Sequence, residues 1–175
     1  VYKRQHVNFN GIAHKNEASY ELVRQMRASI LILGPLLASQ GSAKVPLPGG
    51  CAIGSRPIDL HVMVMEALGA NIKFDSGFII GSVPSEGLRG AKINFPKISV
   101  GATENLIIAA SLAKGTSILS NCAIEPEIKD LINFLNKMGC NIKWISDRTI
   151  KIIGILEIKE ISYSVMFDRI EAGTY

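Results

Sequence analysis

The sequence predicts an α/β fold assembled from repeated βαβαββ units, and three observations carry that expectation. GANIK at 69–73 and GCNIK at 139–143 are two versions of one pentapeptide, offset by 70. LLASQG ending at Gly41 and SLAKG ending at Gly115 are offset by 74, a shift that also sets Ala28-Ser29 on Ala102-Thr103. Around these markers each copy runs through the same succession of helical and extended patterns, which marks an internal repeat. The unequal offsets leave four extra residues in the first copy between Gly41 and Gly69, an interval that contains PGGCAIGS. The loop is an elaboration on a repeated frame.

Each copy opens with an apolar helix, at 28–40 and at 102–113, followed by a short strand at 43–47 and at 116–120. A second helix starts near Pro57 or Pro126, where a missing N–H breaks no intrahelical bond. In the later helix Ile128, Leu131, Leu135 and Met138 recur at helical spacing and mark a core face, and Gly139 ends it. Strands 71–75 and 78–81 join through a Ser-Gly turn, and 141–144 and 149–153 through Ser-Asp-Arg. A third unit is expected to close the arrangement; residues 6 to about 25 read as its tail, and 162–167 as a further strand. The organisation expected is an artefactual VYKRQ at 1–5 (a translated sequencing linker), one domain over 6–167, and at 168–175 the start of a crossing into a second domain.

At 175 residues and 47% hydrophobic content the chain can bury one real core. Its most apolar runs, 30–38 and 106–113, fall short of the roughly 20 residues that span a bilayer. No export pattern opens the chain, so a cytoplasmic location is expected. Cys51, Cys122 and Cys140 show no C-x-x-C spacing, which argues against zinc and against a disulfide framework; no cofactor is expected. Setting aside Lys3 and Arg4 takes the formal charge from +4 to +2, and the scattered basic residues do not favour nucleic acid. A modest positive charge permits an anionic substrate.

The stretch PLPGGCAIGSRPID, 46–59, sets Cys51 behind two glycines and five residues before Arg56. Taken alone it is either a reactive thiol or a small apolar residue in a turn. Arg27 and Arg56 fall at or near helix starts, where free N–H groups favour anions and a guanidinium adds paired donors; the plain alternative is a solvated surface arginine. Lys97, Ile98, Ser99, Val100 and Gly101 lead into the second copy's first helix, where backbone amides could face a diphosphate or where Ser99 could simply cap the helix. Asp59 alone reads as a first-turn acid complementing the helix dipole, and Glu125 and Glu127 likewise flank Pro126 at a helix start.

YELVRQMRAS (20–29), LPGGCAIGSRPIDLH (47–61), SVGAT (99–103), EPEI (125–128) and DRIEAGT (168–174) together resemble the UDP-N-acetylglucosamine 1-carboxyvinyltransferases, bacterial enolpyruvyl transferases. The resemblance implies a domain of three βαβαββ units around buried helices, an inside-out α/β barrel. It implies transfer of the enolpyruvyl group of phosphoenolpyruvate to the 3′-hydroxyl of UDP-N-acetylglucosamine, with loss of phosphate, at the first committed step of peptidoglycan synthesis. It makes Cys51 the proton donor to the enol methylene and the target of fosfomycin. It places Arg27, Arg56, Pro57, Ile58, Asp59, Leu60 and Lys97 to Gly101 on the substrates, with Asp59 at the uracil ring. His61 lies in the matching block but reads equally as a packed helix residue.

Two positions depart from the family pattern: Ile124 stands where arginine is usual, and Phe167 where proline is frequent. The family's N-terminal lysine-asparagine pair and the second domain, with the aspartate that deprotonates the sugar hydroxyl, have no match here, so the chain alone is expected to be inactive. Two rival readings are a shikimate-pathway enolpyruvyl transferase, which lacks the cysteine loop, and a non-catalytic UDP-sugar-binding module.

Overall fold

The computed structural model describes residues 7–9, 15–23, 27–47 and 58–174. Helix α1 (Tyr20–Val23) and a 3-10 helix (Arg27–Ile32) lead into α2 (Leu33–Gln40), β1 (Ser42–Pro46), α3 (Asp59–Ala67) and the hairpin β2 (Asn71–Asp75) and β3 (Phe78–Ser82). The second copy runs β4 (Lys92–Asn94), α4 (Val100–Ser111), β5 (Thr116–Ser120), α5 (Pro126–Lys137), β6 (Asn141–Ser146) and β7 (Thr149–Ile153), and α6 (Arg169–Thr174) follows. One sheet has the order β1-β3-β2 and is antiparallel. The other has the order β4-β5-β7-β6, with β4 parallel to β5 and the remaining pairs antiparallel.

Backbone geometry bears out the repeat at the residues that announced it. Gly41 and Gly115 have φ of 71° and 96°, Gly69 and Gly139 have 96° and 103°, a region that favours glycine. Gly69 N–H donates to Glu66 O and Gly139 N–H to Asn136 O; Ala70 bonds to Met65 and Cys140 to Leu135 in the same register. The two hairpins differ by one residue, which a register shift between Trp144 and Ser146 absorbs as a bulge. In the first hairpin Ser76 and Gly77 both take positive φ, the two-residue turn whose twist matches the strands.

Two expectations are corrected. Within the segment assigned to the tail of a third unit, Asn16 to Ala18 instead open the first copy: Glu17 bridges Lys44 in parallel, with Ala18 N–H to Lys44 O and Lys44 N–H to Asn16 O. This is the relation β4 bears to β5, where Ile118 N–H reaches Ala91 O and Phe95 N–H reaches Ser120 O. Residues 162–167 form no strand. Side chains on α5 hold them instead: Tyr163 Oη donates to Asp130 Oδ1 at 2.8 Å, Met166 N–H to Asp130 Oδ2 at 3.3 Å, and the Tyr163 ring meets Phe134 edge-on.

Packing centres on α4, which is apolar around most of its circumference and therefore buried. Ala102, Leu106, Ile107, Ala109 and Ala110 lie at 1% exposure or less, with α2, α3 and α5 against them. Each fully buried leucine or isoleucine contributes about 1.5–3 kcal/mol. Helix α5 covers one flank in the ordinary amphipathic way: Ile128, Ile132 and Leu135 face inward, with Leu131 and Met138 packed at the margin. Among the described residues no helix is long and apolar enough to cross a membrane.

Candidate functional site

Two of the predicted substrate residues, Asp59 at the start of α3 and Lys97 ahead of α4, come together among the described residues. Ile58 precedes α3 as its N-cap and Asp59 opens it; Ser99 caps α4. The Lys97 Nζ lies 3.8 Å from Asp59 Oδ2, with both side chains more than half exposed, so the pair adds little stability but holds a cation and a carboxylate within reach of solvent. Ser99 is extended (φ −145°, ψ 120°), and its Oγ accepts from Ala102 N–H at 3.3 Å. The Ser99 carbonyl receives both Thr103 N–H at 3.0 Å and Thr103 Oγ1 at 2.7 Å, while Thr103 Oγ1 accepts Ala123 N–H at 3.2 Å. The bend that presents Lys97 and Ile98 is thereby tied to the core.

Individual positions differ in what they offer a ligand. Ile98 is 45% exposed and open to contact. Leu60 is 5% exposed and faces the core, so only its main chain can meet a ligand. Val100 packs at the core margin, and Gly101 lies where an added Cβ would touch the His61 ring at 3.4 Å. Arg27 begins the 3-10 helix, as expected for a residue at a helix start. Cys51, Arg56 and Pro57 lie outside the described residues.

His61 proves to be a packed helix residue, 6% exposed, and its contacts reveal one that sequence reasoning missed. Asn105 is fully buried in the middle of α4. Its Oδ1 accepts Gly34 N–H at 2.8 Å; its Nδ2 donates to Ile30 O at 3.1 Å and faces His61 Nδ1 at 3.1 Å. The signal was available: a lone asparagine inside ENLIIAA, on a face otherwise apolar, has to find partners when buried.

The remaining polar features are structural. Burial pushes the Cys122 thiol up to about 12 and raises that of Cys140, so neither is a nucleophile. Glu125 is the N-cap residue of α5 but makes no side-chain cap bond, accepting Ile124 N–H at 2.8 Å instead, and Glu127 in the first turn pairs with Arg169. Burial, and then repulsion from Glu127, raises Glu104 above the ordinary carboxylate range. Among the described residues no cluster of His, Cys, Asp and Glu could hold a metal.

A family model described as EPSP synthase (3-phosphoshikimate 1-carboxyvinyltransferase) matches residues 2–175. A UDP-N-acetylglucosamine 1-carboxyvinyltransferase from Pelagibacter ubique is 63% identical over 161 residues, 92% of this chain and 38% of that protein. One from Coxiella burnetii is 58% identical over 158 residues, 90% of this chain and 36% of the other. The chain thus spans little more than a third of the relatives it matches. Among solved structures, the enolpyruvyl transferase NikO from Streptomyces tendae superposes with a TM-score of 0.73 at 18% identity, over 91% of this chain and 38% of that one. EPSP synthase from Acinetobacter baumannii gives 0.59 at 17% identity, over 75% and 29%. At those identities the two structures are similar to this chain in fold alone.

Proposed function

The chain belongs to the EPSP synthase (3-phosphoshikimate 1-carboxyvinyltransferase) family, and from that premise we propose that it is part of a UDP-N-acetylglucosamine 1-carboxyvinyltransferase. The observation that carries this reading is 63% identity, over 92% of the chain, to a protein of that name. The reaction joins the 3′-hydroxyl of UDP-N-acetylglucosamine to the central carbon of phosphoenolpyruvate while a proton enters at the methylene carbon. The hydroxyl proton passes to a base outside this chain; loss of a proton from the new methyl group and of phosphate then restores the carbon–carbon double bond as an enol ether. Cys51 is the acid for the first protonation, and a guanidinium such as that of Arg56, five residues on in the sequence, would favour the thiolate that remains. Arg27 and Arg56 neutralise phosphate charge.

Asp59, Lys97 and the main chain from Ile58 to Leu60 and from Ile98 to Gly101 form the nucleotide side. What supports this is the 3.8 Å approach of Lys97 to Asp59 at the starts of two helices, where N–H groups and a cation favour a diphosphate. The missing length supplies the other wall of a water-excluding cleft, so the chain alone does not turn over. In the cell the reaction is cytoplasmic and opens peptidoglycan synthesis.

The full-length gene product decides the matter. It should release phosphate from phosphoenolpyruvate only when UDP-N-acetylglucosamine is present, lose that activity with Cys51→Ala, and be labelled at Cys51 by fosfomycin. Dependence on shikimate 3-phosphate instead would move the assignment to the shikimate branch. Nucleotide binding that survives Cys51→Ala, with no turnover in the wild type, would make the protein a UDP-sugar-binding module.

A further inference from the structure

Every helix that bears a described candidate substrate residue is joined to the others through one buried side chain. Asn105 on α4 takes Gly34 N–H on α2 with its oxygen, and its nitrogen reaches the Ile30 carbonyl on the 3-10 helix and His61 on α3. The amide cannot be turned over, because Gly34 needs an acceptor and Ile30 a donor. Its nitrogen has two hydrogens; one goes to Ile30 and the other points at His61 Nδ1, which therefore accepts and leaves the ring neutral with its proton on Nε2. The fit leaves no slack: a Cβ on Gly34 would come within 2.3 Å of Asn105 Oδ1 and 2.7 Å of the Asn105 carbonyl oxygen.

The geometry points to Asn105 as a positioning residue for the nucleotide side of the site, acting through His61 and Gly34 without touching ligand itself. The 3-10 helix it grips begins at Arg27; the histidine it grips is two residues beyond Asp59; its own helix begins next to Ser99. One amide thus sets the mutual placement of three chain segments whose starts carry Arg27, the Asp59 carboxylate and the Lys97 to Gly101 amides. A buried polar group satisfied on all sides specifies one arrangement more sharply than apolar packing does. This inference rests on the nucleotide reading for its purpose but not for its geometry.

The test labels the histidine rings of the full-length gene product with nitrogen-15 and compares wild type, Asn105→Asp and His61→Phe. Wild-type His61, identified by its loss in His61→Phe, should show an unprotonated Nδ1. Asn105→Asp, close to isosteric, should draw the proton onto Nδ1 and shift the amide signals of 59–61 and 99–101. It should also weaken UDP-N-acetylglucosamine binding tenfold or more. His61→Phe should disturb the start of α3 while leaving Gly34 N–H in place, which keeps the inference testable if the aspartate variant folds poorly. A protonated Nδ1 in the wild type overturns the inference, as does an Asn105→Asp chain with unmoved tautomer and unchanged affinity. A tautomer shift in a chain that never binds the nucleotide sinks the substrate assignment and leaves the clamp standing.

Discussion

Arg169 grips Glu127 with two hydrogen bonds, Nε to Oε2 at 3.0 Å and Nη2 to Oε1 at 2.8 Å, across 42 residues of chain. The guanidinium holds the Glu127 carboxyl below the usual range, and the pair fastens α6 to the first turn of α5. A carboxyl with a lowered folded value contributes stability above its unfolded value, about 4.3, and loses that contribution as pH falls through the folded value. Arg169→Ala should therefore speed proteolysis beyond Tyr163 at pH 7, with little change in Tm. The difference from wild type should fade below about pH 4; a difference that persists there would show that the ion pair is not what fastens the segment.

Glu104 shifts the other way. Burial and the neighbouring Glu127 raise it, so its contribution is present below the unfolded value and is lost as pH rises through the folded one. Glu104→Gln should accordingly raise Tm at pH 7 and give no gain at pH 3.5. A gain of equal size at both values would assign the effect to packing.

Thr103 bridges Ser99 O and Ala123 N–H from a fully buried position. Thr103→Val keeps the shape and leaves that N–H without a partner, at a cost of about 1–3 kcal/mol. Chemical denaturation gives the loss, and hydrogen exchange should quicken at residues 97–102. Unchanged exchange there would mean that the bend is held by other bonds.

Gly154 is a site of close backbone approach: a Cβ there would lie 1.7 Å from the Ala113 carbonyl oxygen. Gly154→Ala should destabilise by about 1–3 kcal/mol, since backbone has to move to admit a methyl group. Gly173, whose Cβ would meet nothing within 4 Å, serves as the control and should tolerate alanine. Equal effects at the two positions would contradict the packing described here.

Thiol chemistry separates the three cysteines. Cys122 and Cys140 are buried with raised values, so iodoacetamide at pH 8 should leave both unmodified in the folded chain and react with them only in denaturant. Label on Cys122 at a rate matching an unstructured peptide would refute the burial. Label on Cys51 alone is the outcome the proposed function requires.

Much of this fold was legible because the chain states it twice. The paired glycines, the hairpins at 71–82 and 141–153 and the inward face of α5 each follow from a local pattern that the structure keeps. The misses have physical reasons. Strand β4 is three residues long, too short for alternation to register. The run from Ser162 to Phe167 alternates like a strand, but its polar groups find Asp130 instead of a neighbouring ladder. Glu17 enters through a single bridge. At the site, Asp59 and Lys97 were each read from their place near a helix start, and their 3.8 Å approach is a contact across 38 residues that no local pattern states. Asn105 escaped notice because its role depends on three partners 44 to 75 residues away, which no local window contains.

The left-handed glycines at 41 and 115, and at 69 and 139, turn the chain at equivalent points although the intervals between them differ by four residues. Length added between β1 and α3 has therefore not propagated into the packing on either side, since closing a somewhat longer connection costs only a fraction of a kcal/mol. One half of the frame can thus carry a longer connector while the other keeps the shorter one, and the turns that both halves share stay where they are.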